Sequence, residues 1–98
     1  MHITTMNSGG KKLSKELVIV NELGLHARAA AMIAKAAENA KSKLWIIKNE
    51  EEVDAASILD MLSLECSNGT KITLKVNDKA DMEIFNNIVR LIENGFGE

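Results

Sequence analysis

The sequence predicts an α+β fold, an open-faced two-layer sandwich with elements in the order β-α-β-β-α-β-α, built by a domain spanning residues 15–98. Three observations predict it. Lys71–Asn77 (KITLKVN) alternates, with Ile72, Leu74 and Val76 on one side and Lys71, Thr73 and Lys75 on the other. That is a strand with one covered face and one wet face. Ala27–Ala40 is Ala-rich, carries Met32, Ile33 and Ala37, and has high helix propensity. Ile84, Phe85, Ile88, Leu91 and Ile92 recur at helical spacing. Two such helices can cover one face of a sheet and leave the other open.

The remaining elements follow in chain order. Residues 1–14 (MHITTMNSGGKKLS) are polar, hold a Gly-Gly pair and lack a sustained period, so they read as a flexible tail. Leu17–Val20 is a short β-rich run that ends at Asn21-Glu22. After the first helix, Lys43–Lys48 (KLWIIK) reads as a second strand, Asn49-Glu50 as a turn, and Glu52–Asp54 as a short third strand. Ser57–Leu64 (SILDMLSL) is too apolar for a loop and fits a strand or a short helix. Ser57 as N-cap and Asp60 three positions on, a weak capping box, favour the helix. Asp78 is placed to cap the last helix, and Gly95 after Asn94 to stop it. With no proline in the chain, reversals fall to Gly, Asn and Asp.

Composition excludes several function classes. Ninety-eight residues fit one small domain. A net charge of −2 with both signs interspersed, and 3% aromatics, argue against a nucleic-acid binder, which needs a basic stripe. A single cysteine, Cys66, rules out an internal disulfide framework. No apolar run reaches the roughly 20 residues of a membrane span, and none resembles a secretory signal. The expectation is a soluble cytoplasmic protein without membrane insertion. No clustered ligands suggest a metal or another cofactor.

The segment Gly24-Leu25-His26-Ala27-Arg28 joins the first strand to the first helix. A helix start leaves backbone N–H groups without partners, and Ser, Thr, Asp or Asn normally caps them. His26 is a poor cap, so the amides of the first turn, at Ala27, Arg28 and Ala29, are open to an anion. Arg28 opposes the helix dipole, at a cost of roughly 0.3–1 kcal/mol. A bound anion would reverse that penalty. A nucleophilic imidazole, free amides and an arginine together suit phosphoryl transfer, which asks for positioning and charge stabilisation. On chemistry alone His26 reads equally well as an ordinary surface-loop histidine.

GLHARAA followed by an Ala-rich helix resembles the histidine-containing phosphocarrier (HPr) family of the bacterial phosphoenolpyruvate-dependent phosphotransferase system. The likeness extends over about residues 15–98, through SILDMLSL, SNGTKITL and the final GFGE. It implies an antiparallel sheet of four strands in the order 1-4-2-3 with three helices on one face. It implies that the chain is a carrier and not an enzyme. His26 would take phosphate on Nδ1 from enzyme I and pass it to an enzyme IIA domain, with Arg28 as the phosphate-stabilising arginine. Ser57 matches the serine that the ATP-dependent HPr kinase/phosphorylase modifies in many members; a plain N-cap serine is the other reading. Partners would dock on the His loop and on Ala27, Arg28, Ala31, Lys35, Ile58, Leu59 and Leu62. The last three cannot all be core on so short a helix.

The chain departs from the family pattern at three places. Ala29 replaces the usual proline after the arginine and restores an N–H donor. Asp60 puts a carboxylate near Ser57, and Glu65 stands where many members have glycine. With the implied strand order, the open face would carry Val18, Val20, Thr73, Trp45 and Ile47, with the N-terminal tail or another molecule to cover it. Two other functions remain open. One is an HPr-like regulator, of the nitrogen-linked branch, acting mainly through Ser57 phosphorylation or protein binding; the other is a plain α+β interaction module.

Overall fold

The computed structural model describes Thr4–Thr5 and residues 12–98. Its elements are β1 (Thr4–Thr5), β2 (Leu13–Val18), α1 (Ala27–Ala37), β3 (Leu44–Lys48), β4 (Glu51–Asp54), α2 (Ile58–Ser63), β5 (Lys71–Val76) and α3 (Met82–Glu93), with 3-10 turns at Lys79–Asp81 and Gly95–Gly97. The sheet is antiparallel in the order β1-β2-β5-β3-β4. The four expected strands are β2, β3, β4 and β5, and they lie in the expected order. β1 is an addition at the edge, with Thr4 opposite Ser14 and Thr5 opposite Leu13.

Two expectations are corrected. The first strand runs over Leu13–Val18, not Leu17–Val20. Its ladder with β5 starts at Leu13 opposite Val76 and ends at Val18 opposite Lys71. Lys15 hides the period, because it lies between the buried Leu13 and Leu17 on the core side and extends its ammonium to Glu93, 3.5 Å away. Leu13 and Ser14, assigned to the tail, therefore open a strand; apart from these and Thr4–Thr5, the tail expectation lies mostly outside the described residues. Asp78 does not cap the last α-helix. It accepts from Ala80 N–H (2.9 Å) and starts the 3-10 turn, so that α3 begins at Met82.

The core lies between the sheet and the helices. α3 contributes Phe85, Ile88, Val89 and Ile92, an i, i+3, i+4, i+7 stripe. α1 contributes Ala29, Ala30, Ile33 and Ala37. β5 turns Ile72, Leu74 and Val76 inward, β3 turns Leu44 and Ile46, and each such side chain contributes about 1.5–3 kcal/mol of burial. On the opposite face Val18 and Val20 are exposed, whereas Thr73, Trp45 and Ile47 are half-buried. That face is more polar than the expected list implied. Lys43 lies 5.5 Å from the Trp45 ring centre, and Lys75 pairs with Glu52 at 3.1 Å.

Asp81 ties the connection after α1 to the start of α3. Its buried carboxylate accepts from Lys41 N–H and Ser42 N–H (both 2.8 Å) and from the Ser42 hydroxyl (2.6 Å). Burial works against its charge, but the Ser42 hydroxyl and the two amides outweigh it and hold the carboxyl below its ordinary value. A lowered carboxyl stabilises the fold above the unfolded-state value, and that stability is lost as pH falls through the folded one. Asp81→Ala should cost about 1–3 kcal/mol at pH 7. Urea denaturation should show the gap between wild type and variant narrowing under acid conditions; an equal gap at both pH values would refute the charged-acceptor role.

Candidate functional site

The loop between β2 and α1 is held by several backbone bonds, among them Gly69 N–H to Ile19 O (2.7 Å). Ile19 donates to Thr70 O (2.9 Å), Gly24 to Asn21 O (3.1 Å), Leu25 to Cys66 O (2.8 Å) and His26 to Gly24 O (2.9 Å). The Asn68 side-chain amide donates to Val20 O (3.0 Å) and Asn21 O (3.2 Å) from the other side. Gly24 has φ +70°, and a Cβ there would lie 2.5 Å from Cys66 O and 2.9 Å from Ser67 Cα. The position demands glycine on both counts.

His26 is the N-cap of α1. Its backbone is extended (φ −82°, ψ 179°), and its side chain makes no capping bond. The first helical bond runs from Ala30 N–H to His26 O (2.9 Å). The amides of Ala27, Arg28 and Ala29 therefore lack helical partners. Ala27 is exposed and Ala29 fully buried.

A carboxylate has settled beside these groups. Glu98 Oε2 contacts His26 Nε2 and lies 3.4 Å from Arg28 Nη2, while its Oε1 accepts from Asn21 Nδ2 at 3.1 Å. Hydrogen bonds from His26 and then Asn21 hold the Glu98 carboxyl below its ordinary value, against a smaller effect of desolvation. Asn21 is buried, and Nδ2 also donates to Gly24 O at 2.7 Å. Among the described residues His26 Nδ1 makes no hydrogen bond, so one ring nitrogen is engaged and the other open. A concavity of about 650 Å³ opens next to Arg28 and Glu98, with Val20 and Leu23 on its wall.

The structure thus brings His26, Arg28 and the Ala27 and Ala29 amides together. Ser57 lies apart, at the N-cap of α2, where its Oγ accepts from Asp60 N–H (3.2 Å). Ser57 N–H donates to Asp54 O (3.0 Å), so the capping box is half made. Of the docking candidates, Leu59 is 79% exposed and Ile58 38%; Lys35 is exposed, and Ala31 and Leu62 are half-buried. Met61 fills the core from the same helix. Cys66 is buried, which pushes its thiol up despite the opposing charge of Lys48. Among the described residues no cluster of three metal-ligating side chains forms.

Sequence reading missed Glu98, Asn21 and Leu23, which is 68% exposed beside the site. Glu98 had no local signal, because its partners are 70 and more positions away. Asn21 read as a turn residue, which it also is.

The family model for the phosphotransferase-system HPr component, described as its phosphorylation site, matches residues 13–94. The chain belongs to the HPr family. The phosphocarrier protein HPr of Cupriavidus necator is 36% identical over 86 residues, covering 88% of this chain and 97% of its own. A solved HPr from Thermoanaerobacter tengcongensis superposes with a TM-score of 0.78 at 36% identity, over 87% of this chain and 96% of that one. The phosphocarrier protein NPr of Shewanella violacea is 43% identical over 63 residues, 64% of this chain and 69% of that protein. The family-model match, over residues 13–94, includes His26 and Arg28 and stops short of Glu98. Among the described residues no helix is long and apolar enough to cross a membrane.

The seat of the loop is testable. Gly24→Ala should lower stability by at least about 1 kcal/mol, because the left-handed backbone and the collision with Cys66 O add. Thermal denaturation checks the size, and displaced amide resonances at Leu25 and Ser67 check the place. A variant of wild-type stability would mean that the close approach is not a constraint.

Proposed function

We propose that this HPr-family chain is a cytoplasmic phosphocarrier, in which His26 accepts a phosphoryl group on Nδ1 from enzyme I and passes it to an enzyme IIA domain. One observation carries the reading: His26 stands at the N-cap of α1 without capping it, over amides that lack helical partners. As the Nδ1–P bond forms, the donor's bond to phosphorus breaks. Negative charge on the phosphoryl oxygens meets the Ala27, Arg28 and Ala29 amides, the helix dipole and the Arg28 guanidinium. The histidine is a way station, so the chain is a carrier and not itself an enzyme. Exposed Leu59 and Ile58 on α2, together with the exposed cations Lys35 and Arg28 on α1, would supply a surface for transient docking on acidic partners. Ala31 and Leu62 support it from partly buried positions.

Ser57 supports a regulatory extension. Phosphorylation by an HPr kinase/phosphorylase would place charge at the start of α2, which the dipole favours, while the Asp60 carboxylate opposes it. The NPr likeness favours a second reading, a carrier of the nitrogen-linked branch.

Incubation with enzyme I and labelled phosphoenolpyruvate tests the carrier. Acid-labile label should appear in the wild type and vanish in His26→Ala. Arg28→Ala should slow transfer roughly 10²-fold. Its side chain is 64% exposed, so the melting temperature should hold. Label that persists in His26→Ala would overturn the assignment. With ATP and the kinase, acid-stable label lost in Ser57→Ala would support regulation, and its absence would remove Ser57 from the proposal.

A further inference from the structure

We propose that Asn21 and Glu98 are positioning residues that set the tautomer of His26, with Asn21 acting through the Glu98 carboxylate; the inference rests on the phosphocarrier reading of that histidine. In a neutral imidazole one nitrogen holds the proton and the other the lone pair, and the hydrogen bond at one decides the state of the other. Glu98 Oε2 sits on Nε2. An ionised carboxylate only accepts, so Nε2 must carry the proton and Nδ1 the lone pair. Nδ1 is then the nucleophile. When its electron pair forms the bond to phosphorus, the donor group leaves with its own pair and the ring becomes an imidazolium. The Nε2 proton stays in its bond to Glu98, whose charge offsets the one developing on the ring, as carboxylates do behind other reactive histidines.

Asn21 makes this arrangement specific. Its Nδ2 has two partners, Gly24 O at 2.7 Å and Glu98 Oε1 at 3.1 Å, and both are acceptors. The amide can therefore face them only with its nitrogen. That orientation leaves Oδ1 buried without a partner among the described residues. A buried carbonyl oxygen left unmatched needs a reason beyond packing. The reason here is that one NH₂ group clamps the His loop, through Gly24, and the carboxylate, through Oε1. Glu98 is thereby held bidentate between Asn21 and His26, and its distance from Arg28 (3.4 Å) leaves that guanidinium the least committed of its three neighbours.

The test uses the whole chain with ¹⁵N-labelled histidine. Two-bond ¹H–¹⁵N correlation spectra at neutral pH should show His26 protonated at Nε2 and bare at Nδ1. Glu98→Ala and Asn21→Ala should each move the ring toward a mixture of tautomers. Transfer from phosphorylated enzyme I should slow about tenfold in each, the scale of losing a partner that fixes a ring tautomer. The ring tautomers in the double variant should match those in Glu98→Ala, because Asn21 acts on the ring through Glu98, while its separate bond to Gly24 O acts on the loop. A wild-type ring protonated at Nδ1, unchanged His26 signals in Glu98→Ala, or a tautomer shift in the double variant beyond that of Glu98→Ala would overturn the proposal. Glu98 is a surface residue, so its variant decides the matter even if Asn21→Ala loosens the loop. A wild type that takes no phosphoryl group would defeat the carrier reading, while the tautomer spectra would still judge the clamp separately.

Discussion

The site depends on one close approach, the seating of the His loop on the segment that follows α2. Gly24 lies where any Cβ would meet Cys66 O and Ser67 Cα, and Leu25 N–H donates to that same Cys66 oxygen. The segment beneath is itself braced. Lys48 Nζ donates to Leu64 O (2.7 Å) and Glu65 O (3.1 Å), closing the end of α2 from β3. Glu65, with φ +54°, holds the left-handed conformation that a helix exit often needs and that glycine would adopt at lower cost. Strand, helix end and loop are therefore one connected support. It places His26 at the first turn of α1 without a capping hydrogen bond from its own side chain.

The two middle strands, the last strand and all three helices were legible because their signals are local. Alternation over Lys71–Val76 and helical spacing over Met82–Glu93 need no knowledge of distant partners. Ser57 was legible as a cap for the same reason. The first strand was legible in its presence but not in its start, because Lys15 breaks its apolar alternation and is reconciled only by Glu93 on α3. His26 could be found because it is the wrong residue for its position. Glu98 could not be found in this way: Gly-Phe-Gly before it signals a turn, and only the folded chain shows where that turn points.

The turn is held by an exchange of strain for burial. Gly95, Phe96 and Gly97 all have positive φ, with Phe96 at 59°. A left-handed conformation costs a bulky residue roughly 1–3 kcal/mol. Phe96 is 3% exposed, and burying such a ring contributes about 1.5–3 kcal/mol, so the two nearly offset. The turn persists because its ring is packed, and the carboxylate two residues later arrives at the histidine as a result. A side chain too small to fill that space would leave the strain unopposed.

Arg28 shows how such a site can both accept and release. A cation in the first turn of α1 opposes the helix dipole, and Glu98 relieves that opposition in the absence of cargo. Yet the contact is long and largely exposed, and contacts of that kind contribute little. The guanidinium is therefore kept near the open amides without being committed to the carboxylate. On the carrier reading, an arriving phosphoryl group takes Arg28 over at small cost, and a departing one returns it to Glu98. On the same reading Glu98 would keep its bonds to His26 and Asn21, so the ring that gives and takes the group would stay oriented while the charge around it changes hands.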